Sequence, residues 1–187
     1  KVRQKWAGGI VEVEVTGRKP ALRVAVHQSP ATFGPVVPAE RRAPVLDALG
    51  ISSSSLHPNC PMQVMSKANS RLLIGLNSPD ALESLQPNMQ ALIHLTPHVG
   101  ADGFFVFALR PDGDPLTTES RMFCPMIGVP EDPVSGNAHG MLGVYLVIGA
   151  LIQALGALAV NEAARAIETG TQHRFDLRSR FGESVRI

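Results

Sequence analysis

The sequence predicts an α+β protein in which a mostly antiparallel sheet curls around one central apolar helix. Three observations carry that expectation. Short segments alternate apolar and polar residues at period two, with Gly, Pro, Asn and Asp gathered between them. One long apolar run over residues 141–160 is broken by a strongly polar side chain only at Gln153. The chain has 187 residues, 44% of them apolar and 18% charged, which is enough to bury a core and unlike a disordered segment.

Residues 10–15 place Glu12 and Glu14 on one face and Val11, Val13 and Val15 on the other, the pattern of a half-buried strand. The turn Thr16-Gly17-Arg18-Lys19 leads to a second alternation over 21–27 with Leu22, Val24 and Val26, so the two form a β-hairpin. The Pro-rich passage 29–38 excludes a helix or a central strand. Pro44 opens a short helix that ends before Gly50, with the fixed φ of Pro at its start and the freedom of Gly past its end. After a serine loop at 52–55, strands are expected at 62–65 and 71–76, the second a buried Leu72-Leu73-Ile74 run. Ser78-Pro79-Asp80 starts a helix with Ala81, Leu82 and Leu85 on one face, and a further short helix covers 88–95. A strongly apolar strand at 104–109, a turn at 110–115 and a strand at 118–123 complete the sheet.

The run from Met141 is apolar all round, which suits either a core or a bilayer. Its polar start and the glycines Gly140, Gly143, Gly149 and Gly156 favour a helix packed closely against strands, and no membrane span is expected. The net charge of +1 gives no basis for nucleic-acid binding, and acidic residues interrupt the late basic cluster Arg174, Arg178, Arg180 and Arg186. Cys60 and Cys124 supply neither a metal cluster nor a disulfide framework, so reduced thiols in a cytoplasmic protein are expected. The chain opens without Met and without an apolar leader, which suggests a fragment or a processed protein.

Chemistry concentrates in residues 128–140, where two acids and a proline lead through small residues into the apolar helix. The first N–H groups of a helix lack internal partners and carry partial positive charge, so a small carboxylate fits there. Gly136 lets a ligand approach the backbone, and either Ser135 or Asn137 is able to cap the helix. Asp132, held by Pro133 at the mouth, is placed to exchange a proton with the ligand, and His139 is a second polar contact. The plainer reading of the same residues is an ordinary helix start, with Asp132 and Asn137 as caps and His139 packed on the helix.

The run Arg121-Met122-Phe123-Cys124-Pro125, then Gly128, then Glu131-Asp132-Pro133-Val134-Ser135-Gly136-Asn137-Ala138-His139-Gly140 resembles the signature of the PhzF-like phenazine-biosynthesis family. Weaker agreement extends the resemblance over about residues 8–151. It implies a diaminopimelate-epimerase-like fold of two lobes, of which residues 1–160 resemble the C-terminal one and residues 161–187 form a divergent tail. It further implies an isomerase, usually a homodimer, that moves a proton within a small cyclic carboxylate without cofactor or metal. On that resemblance Asp132 is the catalytic residue, and Ser135, Gly136, Asn137, Ala138 and His139 seat the substrate. Asn137 stands where the family has Ser, and Ser135 where it has Thr. No residue matches the family's general-base Glu or its Gly-His-Ala-Thr motif, both of the first lobe, so the chain is expected to supply half a cleft. Two rivals follow: a non-catalytic half that binds a small acid or a partner protein, and a cysteine-dependent racemase of the same architecture. The racemase would need a Cys beside the helix-start Gly, and Cys124 lies upstream of it.

Overall fold

The computed structural model describes residues 2–6, 9–26, 30–110, 117–133 and 135–155. Most of the turn expected at 110–115, the apolar run beyond 155 and the tail 161–187 lie outside these residues. The chain divides into two compact units, residues 1–30 and 31–187.

The first unit is a three-stranded antiparallel sheet of β1 (Val2–Trp6), β2 (Gly9–Thr16) and β3 (Arg23–Val26). The expected hairpin is β2–β3, with Val13 opposite Val26 and Thr16 opposite Arg23. Strand β1 is an addition: Val2-Arg3-Gln4-Lys5-Trp6 alternates only weakly, and its pairing with β2 rather than its own pattern makes it a strand.

The second unit is built on a six-stranded sheet whose spatial order follows the chain. It comprises β4 (Thr32–Val36), β5 (Gln63–Lys67), β6 (Asn69–Leu76), β7 (Phe104–Leu109), β8 (Thr118–Cys124) and β9 (Val129–Asp132). The β6–β7 pair is parallel and the others are antiparallel. The Pro-rich passage becomes β4, an edge strand, where the N–H that Pro35 lacks is not needed by a second neighbour. Its register shifts between Phe33 and Val36.

Helices cover both faces. Helix α1 (Ala43–Leu49), α2 (Pro79–Glu83) and α3 (Met89–Val99) share a core with Leu72, Ile74, Leu76, Phe104 and Val106. Helix α4 (Gly136–Leu155) shares a second core with Met65, Leu73, Phe105, Phe107 and Met122. Successive side chains of β6 and β7 therefore enter opposite cores, which is why these strands read as unbroken apolar runs. On α4 the buried positions Ala138, Met141, Leu142, Tyr145 and Ile148 recur every three or four residues and form a single stripe on the sheet. The expected close packing is not found at Gly143 or Gly149, where an added Cβ would meet no neighbouring element within 4 Å, and Gly156 lies outside the described residues. Among the described residues no helix is long and apolar enough to cross a membrane.

Candidate active site

Strand β9 hydrogen-bonds to β8 at the sheet edge and delivers the chain to the start of α4, where the candidate residues cluster. A two-point ion pair fixes that delivery. Arg121 on β8 donates from Nε to Glu131 Oε1 at 2.8 Å and from Nη2 to Oε2 at 3.0 Å. Its Nη1 donates to the carbonyls of Leu82 in α2 and Leu85 just past it, both at 3.3 Å, and its guanidinium lies 5.2 Å from the centre of the Phe123 ring. The guanidinium holds the Glu131 carboxyl below the usual carboxylate range, chiefly through the hydrogen bonds. Asp132, the next residue, ends β9 opposite Met122 and is half-buried.

Of the two caps left open by the sequence, Ser135 is the one used. It is buried, and its Oγ accepts from the Ala138 N–H at 3.4 Å, a long bond, while its carbonyl accepts from the His139 N–H at 3.0 Å. Asn137 turns away from the helix axis and donates from Nδ2 to the carbonyl of Lys67 at 2.9 Å, tying the helix start to the β5–β6 turn. That turn contains Ala68 with φ of 60°. Burial lowers the Lys67 ammonium pKa below its ordinary value. Gly136 is exposed, with no atom within 4 Å of where a Cβ would sit, so the backbone of the first turn is open to a ligand. The Ala138 methyl is fully buried in the α4 core, which leaves only its main chain near the surface of the site.

His139 is exposed but held from several sides. Its Nδ1 lies 2.7 Å from the Ser135 carbonyl, its Nε2 lies 3.1 Å from Ser120 Oγ on β8, and its ring meets Phe105 edge-on at 5.2 Å. Ser135, Ala138 and His139 thus form one connected group, and Asn137 joins it to β5. The sequence assigns no role to Ser120 or Lys67, and although Arg121 and Glu131 both stand in the quoted motif, nothing in the sequence pairs them. A usable signal existed for Ser120. It shares the α4-facing side of β8 with Met122 and Cys124, where a polar residue is out of place unless it has a partner.

Neither thiol belongs to this group. Cys60 and Cys124 are both buried, and burial pushes each thiol pKa up, the opposite of what a nucleophilic thiolate requires. Among the described residues no cluster of three or more His, Cys, Asp or Glu could hold a metal ion. A groove of about 290 Å³, lined by residues including Ser70, Thr96, Asp102 and Met126, shares no residue with the helix start.

A family profile for phenazine biosynthesis-like proteins, PhzC-PhzF, matches residues 1–173. An uncharacterised isomerase of Clostridium acetobutylicum is 37% identical over 147 residues, covering 79% of this chain and 49% of that protein. A trans-2,3-dihydro-3-hydroxyanthranilate isomerase of Pseudomonas fluorescens is 37% identical over 106 residues, covering 57% of this chain and 34% of its own length. The crystal structure of a Bacillus anthracis phenazine biosynthesis protein of the PhzF family superposes with a TM-score of 0.66. Its sequence identity is 18%, over 75% of this chain and 47% of that one, which establishes likeness of fold. The chain spans about half the length of the curated relatives it matches.

Proposed function

The chain belongs to the phenazine biosynthesis-like PhzC-PhzF family, and on that footing we propose that it forms one lobe of a cofactor-independent isomerase. The reaction moves a proton within a small, cyclic carboxylic acid. The observation that carries this reading is the juxtaposition of Asp132, at the end of a strand fixed by Arg121 and Glu131, with the open first turn of α4. The substrate carboxylate sits against the N–H groups of Gly136 and Asn137 at the opening of that turn, where charge and hydrogen bonding both favour an anion. Asp132 gives or takes the migrating proton, and Ser135, Asn137 and His139 hold the helix start in shape. The opposing general base comes from a first lobe, residues 1–160 here forming the second lobe. A cytoplasmic homodimer completes the reading; family membership supports the dimer, and the two unpaired thiols support the compartment.

The substrate to try first is the one named for the Pseudomonas fluorescens relative, since it is a small cyclic carboxylate. In the intact protein, Asp132→Asn is expected to abolish turnover, with a loss on the order of 10²–10⁴-fold, and to leave the thermal midpoint within a few degrees. Full activity in that variant sinks the reading. The second reading is a half that binds a small acid or a partner protein without turnover. Isomerisation by the 187-residue chain alone would exclude it.

A further inference from the structure

We propose that Ser120 is a positioning residue for His139, fixing its neutral ring with the proton on Nδ1 and the lone pair on Nε2. The functional weight of this rests on the helix start being the reactive site, but the geometry stands apart from that reading. A main-chain carbonyl only accepts, so the 2.7 Å contact between Nδ1 and the Ser135 oxygen requires the ring proton to be on Nδ1. Nε2 of the neutral ring is then an acceptor, and the Ser120 hydroxyl at 3.1 Å is its donor. In water the neutral side chain prefers its proton on Nε2, so this tautomer is imposed by the fold rather than intrinsic to histidine.

The constraint comes from three elements at once. Ser135 precedes α4, Ser120 lies on β8, and Phe105, whose ring edge limits rotation of the imidazole, lies on β7. The order carbonyl, imidazole, hydroxyl is a single chain of hydrogen bonds in which each bond polarises the next. The neutral ring has no proton to give at Nε2, and its Nδ1 proton is already committed. In this tautomer His139 acts as a fixed dipole that receives the Ser120 hydroxyl.

The test reads the ring directly. The protein is labelled with ¹⁵N-histidine, and long-range ¹H–¹⁵N correlations are recorded at about pH 8.5, where an ordinary imidazole is neutral. The His139 signals are assigned among those of six histidines by their loss in His139→Gln. Wild type is expected to show a protonated-type shift at Nδ1 and an unprotonated-type shift at Nε2. Ser120→Ala, which leaves the ring held by the Ser135 carbonyl and Phe105 but without the hydroxyl at Nε2, is expected to move both part of the way toward the averaged values of exchanging tautomers, and Ser120→Thr, which keeps the hydroxyl, to restore the wild-type pattern. A protonated-type Nε2 in wild type overturns the proposal even if the alanine variant fails to fold, and so does a Ser120→Ala spectrum identical to wild type. Because no turnover is measured, this result and that of Asp132→Asn fail independently.

Discussion

Glu131 shows how a surface-facing side chain can matter to a site it does not enter. Its carboxylate receives two hydrogen bonds from Arg121, and the same guanidinium reaches the Leu82 carbonyl in α2 and the Leu85 carbonyl just past its end. The pair therefore joins β8, β9 and α2 and sets the position of Asp132 one residue on. Glu131 is half in solvent, so the pair's contribution to stability is modest, about 0.5–1 kcal/mol for an exposed but two-point ion pair. Glu131→Gln is expected to lower stability by that amount near neutral pH in urea titrations. The pH dependence has a definite sign. The folded-state pKa lies below the unfolded value, so the stabilisation is complete above about pH 4.3 and is lost as pH falls through the depressed folded value. The difference between wild type and Glu131→Gln should accordingly shrink on acidification below about pH 4. A gap that stays constant from neutral pH to about pH 3 would mean that the ion pair is not its source.

At the level of elements, the close approach of β6 to the loop before β5 gives a sharper test. A Cβ on Gly75 would lie 2.5 Å from Cys60 Cβ and 3.0 Å from Phe107 Cζ, both in the buried α4 core. Gly75→Ala is thus expected to cost about 1–3 kcal/mol by overpacking, read as a lowered urea midpoint with unchanged slope. A neutral result would mean that the loop yields freely. Elements of this kind were legible where the residues themselves enforce them. The apolar runs of β6 and β7, the Pro44 start and the left-handed Gly50 end of α1, at φ of 72°, and the Ser78 cap of α2 all follow from local chemistry. Legibility failed where distant partners decide. Strand β9 contains Pro130 and two acids and is a strand only because β8 pairs with it. Helix α3 runs past Leu95 and through Pro97 to Val99. Thr96 Oγ bonds back to the Leu92 carbonyl and His98 Nδ1 to that of His94, which supports a last turn that Pro97 weakens. In the same way, the motif 131–140 located the candidate site, but which serine caps the helix and what Asn137 and His139 touch depend on β5 and β8, far away in sequence.

Across the whole of the larger unit, one sheet separates two cores that do not share side chains, and adjacent residues of one strand belong to different cores. Leu73 packs with Phe105, Phe107 and Met141 of the α4 side, and Ile74 packs with Val45, Leu92 and Val106 of the α1–α3 side, both with no exposed surface. Truncation of either to alanine removes a similar buried volume, so each variant is expected to lose about 2–5 kcal/mol. The location of the damage should differ. Hydrogen exchange in Leu73→Ala is expected to quicken first in α4, and with it in the candidate site at the start of that helix. In Ile74→Ala it should quicken first in α1, α2 and α3 while the start of α4 keeps its protection, because local opening follows the packing that each helix has lost. If both variants loosen all four helices equally, the two cores unfold as one cooperative unit, and the site's integrity depends on the whole sheet rather than on its α4 face.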